Sequence, residues 1–181
     1  MPQTRRDTLL TFGALWTALA VPAAAAAQAT PALGWAPKAL SADQARRLEV
    51  VVDLIMPATD TPGAREAGVA AFIDRNLADW ADPLWRDTAV AGLDRLDADA
   101  KAAHGQPFLA ISPAQQAALL RGYDEEAKTR RPHFFAILKD LTTVGYFSSE
   151  PGATKAARYD PVPGDYRGCV PLKEIGRVWA L

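Results

Sequence analysis

The sequence has little of three things that many functional sites require, namely cysteine, histidine and an excess of charge. Among 181 residues there are one cysteine, Cys169, and two histidines. A single cysteine excludes an internal disulfide framework, a four-thiolate iron–sulfur cluster and the C-x-x-C-H motif of an attached c-type haem. The 20 basic and 21 acidic residues give a net charge of −1, so the chain lacks the basic footprint of a nucleic-acid-binding protein.

Sequence motifs for catalysis and nucleotide binding are also missing. The chain contains no G-x-G-x-x-G, no P-loop and no G-x-S-x-G. The two histidines, His104 and His133, have no partner at metal-site spacing, which favours structural roles at helix ends. Two acidic pairs are candidates for acid–base chemistry, although no spacing favours either of them: Asp53 with Asp60, and Asp124 with Glu126. We therefore expect no catalytic, cofactor-binding or metal-binding residue in this chain.

The N-terminus has the layout of a signal peptide, which is charged, then apolar, then small. Arg5 and Arg6 precede an uncharged apolar run over residues 9–21, and an alanine-rich stretch with A-x-A sites follows. The run is short for a spanning helix, which needs about 20 residues. The paired arginines favour the Tat route, with a Sec signal that happens to contain Arg-Arg as the alternative. We predict a twin-arginine signal peptide over residues 1–29 and a single exported domain over residues 30–181.

Residues up to about 145 are patterned as amphipathic helices without strand alternation, which predicts an all-α fold. Ser41 and Ser112 each begin a capping box. The predicted helices cover residues 42–56, 62–80 and 84–103, with a fourth beginning at 113 and a fifth over 132–145. For the second helix we expect Thr61 as the N-cap and Pro62 at the first position.

Two tryptophans belong to the apolar faces of these helices according to their spacing. Trp80 continues the face of the second helix that includes Leu77, and Trp85 falls on the same side of the third helix as Leu93. Helical periodicity of this kind indicates the side that packs on the core.

Residues 145–172 differ from everything before them, because they combine four prolines and four glycines with aromatic residues. Prolines and glycines interrupt regular structure, whereas the aromatics argue against a disordered tail. Two interpretations remain open: an ordered loop that faces a partner, and a C-terminal wrap that only covers the helical core. We expect an apolar latch back onto the bundle from Ile175, Val178 and Trp179.

Four segments together resemble the gluconate 2-dehydrogenase subunit 3 family. They are residues 54–64 (LIMPATDTPGA), 68–74 (GVAAFID), 145–150 (GYFSSE) and 166–172 (YRGCVPL), in this order behind the twin-arginine leader. The resemblance implies a small accessory subunit without a cofactor of its own. Its expected partner is a large FAD-dependent subunit of the glucose–methanol–choline type that oxidises a sugar or sugar acid, with a multihaem cytochrome c as third subunit in many complexes.

The resemblance also implies a place and a role for this chain. The complex is expected in the periplasm, at the outer face of the cytoplasmic membrane. Arg5 and Arg6 would direct the chain and its folded partner to the Tat translocon. The expected interface residues are Tyr146, Phe147, Tyr159, Tyr166 and Cys169. Aromatic residues dominate interface hot spots. Cys169 has two interpretations, a disulfide to a partner and a buried apolar thiol.

Two other functions remain as alternatives. One is a stand-alone periplasmic helical binding or scaffold protein, which would be stable and monomeric. The other is a small enzyme with an acidic pair, which requires a deep pocket and carboxylates of raised pKa.

Overall fold

Helices account for most of the described chain in a computed structural model of the protein. The structure describes residues 33–162, 164–165 and 167–179, so the predicted signal peptide, Pro163 and Tyr166 lie outside it. The helices are α1 (Ala42–Ile55), α2 (Val69–Asp79), α3 (Pro83–His104), α4 (Pro113–Thr129), α5 (Phe134–Phe147) and the short α6 (Leu172–Ile175). A 3₁₀ turn covers Phe108–Ala110, and a π-helical turn covers Gly152–Ala156. The described residues form no strand and only one isolated bridge, which confirms the all-α class.

Local capping chemistry sets most of the helix ends, as the sequence predicts. Ser41 and Gln44 form the capping box of α1, and Ser112 and Gln115 form that of α4. Each box satisfies backbone N–H groups that have no partner inside the helix. Gly105 follows α3 with φ +72°, the left-handed conformation in which helices commonly end.

The start of α2 is the main error in the predicted helix bounds. The helix begins at Val69 and not at Pro62. Its N-cap is Gly68, whose φ of +71° is left-handed and cannot continue a right-handed helix from the preceding residues. Thr61 does not cap the helix, because it lies seven residues before Gly68. Its hydroxyl lies 3.3 Å from the hydroxyl of Tyr146.

The central element is α5, which packs against each of the other four long helices. Its buried residues form one broad face of the helix: Phe134, Phe135, Ile137, Leu138, Thr142, Gly145 and Tyr146. Two glycines allow close approach to it. A Cβ at Gly92 of α3 would lie 2.0 Å from Cγ of Phe134, and a Cβ at Gly145 would lie 2.6 Å from Cδ1 of Phe72. Helix α5 therefore depends on glycine for its contacts with α2 and α3.

A buried carboxylate on α2 holds the segment that leads into α1. Asp74 is 1% exposed. It accepts hydrogen bonds from the backbone amides of Lys38 (2.7 Å), Ala39 (3.0 Å) and Leu40 (3.0 Å). Buried charges are stable only where such partners are present, so Asp74 fixes the path of the chain before Ser41.

The C-terminal segment after α5 is largely exposed, and the predicted latch is wrong for Val178 and Trp179. Both side chains are exposed. They interact with Arg158 of the same segment, whose amide donates to the carbonyl of Val178 (2.8 Å) and whose guanidinium lies 4.4 Å from the ring centroid of Trp179. A cation–π contact of this kind stabilises the ring without burying it in the bundle.

Within the described residues, no helix has both the length and the apolar character needed to cross a bilayer.

Candidate functional site

The two carboxylates of the acidic pair Asp124 and Glu126 bind different basic side chains. Asp124 accepts a hydrogen bond from Nζ of Lys139 at 2.8 Å. Glu126 receives two hydrogen bonds from Arg95 (2.9 and 3.1 Å) and a third from Arg130 (2.8 Å). The hydrogen bond from Arg95, followed by the charges of the neighbouring cations, lowers the pKa of Glu126. This carboxylate therefore stays ionised and is unsuited to act as a general acid.

His133 is buried at the N-terminus of α5, where its ring has a structural task. Its Nδ1 accepts the backbone amide of Phe135 at 3.2 Å, so a neutral ring carries its proton on Nε2. This Nε2 has no hydrogen-bond partner, and the carboxylate oxygen of Glu126 is 3.8 Å away. Burial lowers the pKa of His133, because the charged ring would lose its hydration. His133 thus caps α5 as a neutral ring.

Tyr123 lies next to His133 and is locked in its protonated form. Its hydroxyl donates to Asp99 at 2.6 Å, and Arg95 lies 5.0 Å from the centroid of its ring. Burial, and then the hydrogen bond to Asp99, raises the pKa of Tyr123 well above its usual range. A shallow cavity of about 410 Å³ lies over this cluster. Its charged lining groups are already paired with one another, so the cluster joins α3 to α4 and offers no free nucleophile.

Nothing in the described part of the chain assembles a metal site. No three histidine, cysteine, aspartate or glutamate side chains there lie close enough to hold an ion. His104 ends α3, and its Nδ1 is 3.3 Å from Nε2 of Gln115. The other acidic pair is Asp53 with Asp60. Asp60 is exposed and accepts a hydrogen bond from the neighbouring hydroxyl of Thr59.

Tyr146 is part of the core, and its predicted role at a partner interface stays a prediction. The side chain is 5% exposed, and its hydroxyl donates to the carbonyl of Pro62 at 2.8 Å. Phe147 is half-buried, packs on the core and lies edge-on against Tyr146 with ring centroids 5.3 Å apart. These contacts explain both residues without a partner.

The other predicted contact residues lie at the surface or outside the described chain. Tyr159 is 59% exposed, and Cys169 is also exposed. The interpretation of Cys169 as a buried apolar thiol is therefore wrong. Tyr166 and the export pair Arg5 and Arg6 fall outside the described residues.

Three of the four segments that carry the family resemblance meet in space. Tyr146, in residues 145–150, bonds to the carbonyl of Pro62 in residues 54–64. Gly145 of the same segment lies against Phe72 in residues 68–74. Two neighbouring segments, residues 54–64 and 68–74, and the distant segment 145–150 thus form one joint between α5, α2 and the loop that precedes α2.

The exposed tryptophans at the corner between α2 and α3 are the feature that sequence reasoning missed. Trp80 is 84% exposed and Trp85 is 49% exposed, and Leu84 between them is 59% exposed. Their helical spacing indicated core-facing positions. Trp80, however, lies one residue beyond the end of α2, and Trp85 lies in the first turn of α3, where no neighbouring helix covers it.

Comparison with known families gives one match. The model of the family described as gluconate 2-dehydrogenase subunit 3 matches residues 42–164, which include all five long helices. No curated protein and no solved structure has a significant match to the chain.

Proposed function

The chain belongs to the gluconate 2-dehydrogenase subunit 3 family, and we propose that it is the small accessory subunit of a periplasmic FAD-dependent dehydrogenase complex. In this proposal the chain carries no cofactor. A glucose–methanol–choline-type large subunit binds FAD and oxidises a sugar or sugar acid, and a cytochrome c subunit can take the electrons onward. The small subunit supports export, assembly and stability of the large one.

The observation that carries this proposal is the family match over the whole helical body. The described site chemistry is compatible with it. Three buried titratable side chains serve the fold: His133 caps α5, Tyr123 joins α4 to α3 through Asp99, and Asp74 holds the lead-in segment. Side chains that already hold the fold together in this way are poor candidates for catalytic residues.

The export role rests on the sequence of the leader. Arg5 and Arg6 precede an uncharged run, which is the arrangement that the Tat route reads. Because Tat carries folded proteins, one leader can serve two bound subunits. Arg5→Lys combined with Arg6→Lys should leave both this chain and its partner in the cytoplasm, as measured by immunoblots of the cell fractions. Export of the partner despite both changes would contradict the carrier role.

The exposed part of the C-terminal segment is the proposed contact surface. Tyr159 supplies an exposed aromatic ring, Tyr166 follows it in the chain, and Cys169 supplies an exposed thiol. The periplasm permits a disulfide between Cys169 and the partner. Non-reducing electrophoresis of the complex tests this bond directly, since a bridged pair migrates as one larger band that disappears on reduction.

A native purification tests the whole proposal. The chain is tagged after Leu181, isolated from the periplasmic and membrane fractions, and its visible absorption spectrum is recorded. The proposal predicts a co-purifying large chain with flavin absorption, with or without haem bands. A colourless monomer would contradict it and would favour a stand-alone helical binding or scaffold protein.

A further inference from the structure

The corner between α2 and α3 brings three large exposed apolar side chains together in one place. We define the tryptophan corner as Trp80, Leu84 and Trp85, which are 84%, 59% and 49% exposed. All three fall within six consecutive residues. Single exposed apolar residues are ordinary, whereas clusters of this kind mark interaction sites. Tryptophan is also among the residues most enriched in interface hot spots.

We infer that the tryptophan corner is a second docking surface for the dehydrogenase large subunit, separate from the C-terminal segment. This inference rests on the proposed function, because it assumes that such a subunit binds the chain. It adds which face of the helical body is covered and what chemistry the partner presents there.

The size of the corner favours a subunit with further contacts over a second copy of this chain. Buried aromatic side chains contribute about 150–250 Å² each, so the exposed parts of these three residues supply on the order of 400 Å². A stable interface needs roughly 800 Å² on each partner. A symmetric dimer that buries this corner alone would fall short, so the corner fits one part of a larger interface.

The charges around the corner favour an uncharged partner surface. Asp79 pairs with Lys38 at 3.5 Å, and Asp87 pairs with Arg86 at 3.2 Å. The two remaining flanking charges are of opposite sign, Arg75 and Asp82. A balanced rim provides no polybasic patch for an anionic membrane. It suits an apolar protein surface with little net charge.

The shape of the corner indicates a concave partner. Trp80 follows the last residue of α2 and projects with most of its surface free. A groove of about 430 Å³ lies beside it, lined by Phe72, Asn76 and Asp79 among others. We therefore expect an apolar pocket in the large subunit that receives Trp80, and a side chain of that subunit that enters the groove.

The test compares variants of the full chain purified through a tag after Leu181 from the native host. Trp80→Ser combined with Trp85→Ser should reduce the recovered flavin at least about tenfold, because two hot-spot side chains are lost. The single variant Trp80→Ser tests the same surface without the risk of misfolding, because the side chain of Trp80 is largely exposed. The matched control is Leu109→Ser. Leu109 is an exposed apolar residue. It follows Phe108, whose amide donates to Asp97 of α3. Asp97 lies about 18 Å along α3 from Trp85, so Leu109 is far from the tryptophan corner. It should leave flavin recovery unchanged.

The outcomes separate this inference from the proposed function. Equal flavin recovery with the wild type and the double variant would overturn the tryptophan corner and leave the accessory-subunit role standing. A wild-type chain that recovers no flavin would overturn both. If the wild type is a dimer and the double variant a monomer, the corner binds a second copy of this chain and not the large subunit. If the wild type binds phosphatidylcholine vesicles and the double variant does not, the corner binds a lipid surface instead.

Discussion

Gly92 and Gly122 both lie inside long helices but have opposite surroundings, so the same substitution should change stability in opposite directions. A Cβ at Gly92 of α3 would lie 2.0 Å from Cγ and 2.2 Å from Cβ of Phe134, whereas nothing lies within 4 Å of a Cβ at Gly122 of α4. Real Cβ atoms do not come as close to other atoms as the first position requires, so either Phe134 or α3 must move.

The size of each effect follows from two competing terms. Alanine is favoured over glycine inside a helix by about 0.8–1.0 kcal/mol, so Gly122→Ala should raise the free energy of unfolding by about that amount. At Gly92 the same gain is opposed by overpacking, which costs about 1–3 kcal/mol. The contact involves the base of the Phe134 side chain and not its flexible end. We therefore expect the upper part of that range and a net loss of about 1–2 kcal/mol for Gly92→Ala.

Urea unfolding followed by far-ultraviolet circular dichroism measures both variants against the wild type. The expected result is a higher midpoint for Gly122→Ala and a lower one for Gly92→Ala, with similar slopes. If both variants gained stability by the same amount, Phe134 would not pack on Gly92, and the described position of α5 against α3 would be wrong.

Three further measurements address single side chains. Asp74→Asn should lower the free energy of unfolding by about 3 kcal/mol, because one of the three backbone amides that Asp74 binds then faces an NH₂ group in a buried position. Asp79→Asn, the control, removes only an exposed ion pair and should cost less than about 1 kcal/mol. Because burial lowers the pKa of His133 below its ordinary 6.5, the unfolded chain takes up this proton at higher pH than the folded one. Stability should fall as pH drops below 6.5, and His133→Asn, which keeps a side-chain acceptor for the amide of Phe135, should flatten this dependence below pH 6.5. Tyr146→Phe removes the hydrogen bond to the carbonyl of Pro62 and the contact with the hydroxyl of Thr61, and it should cost about 1–2 kcal/mol in the same urea assay.

The helices were predictable because their signals are local. The capping boxes at Ser41 and Ser112 act over three residues, and the glycine that ends α3 needs only its own left-handed backbone. The start of α2 was not predictable in this way. Pro62 suits the first turn of a helix, but the choice between helix and turn depends on contacts with Tyr146, which lies 84 residues away.

Burial of individual side chains was predictable only where neighbouring helices cover the apolar face. Periodicity shows which side of a helix is apolar, and it correctly indicates a buried Leu77 and Leu93. It does not show how far along the helix the cover extends, so Trp80 and Trp85 at the corner were assigned to the wrong surroundings. Asp74 was missed for a similar reason. The three amides that it binds precede it by 34 to 36 residues, and no local pattern announces them.

The joint formed by the resemblance motifs decides where a partner is to be sought. Tyr146 and Gly145 are used to bind the loop before α2 and the ring of Phe72, so these motif residues specify how the helices fit together. Residues committed to such a joint cannot also present their side chains to another subunit. Among the described residues, the exposed aromatic rings are then Tyr159 and Trp179 in the C-terminal segment and the tryptophan corner. In the proposed accessory role, we therefore expect the exposed tryptophans, and not these motif residues, to contact the large subunit.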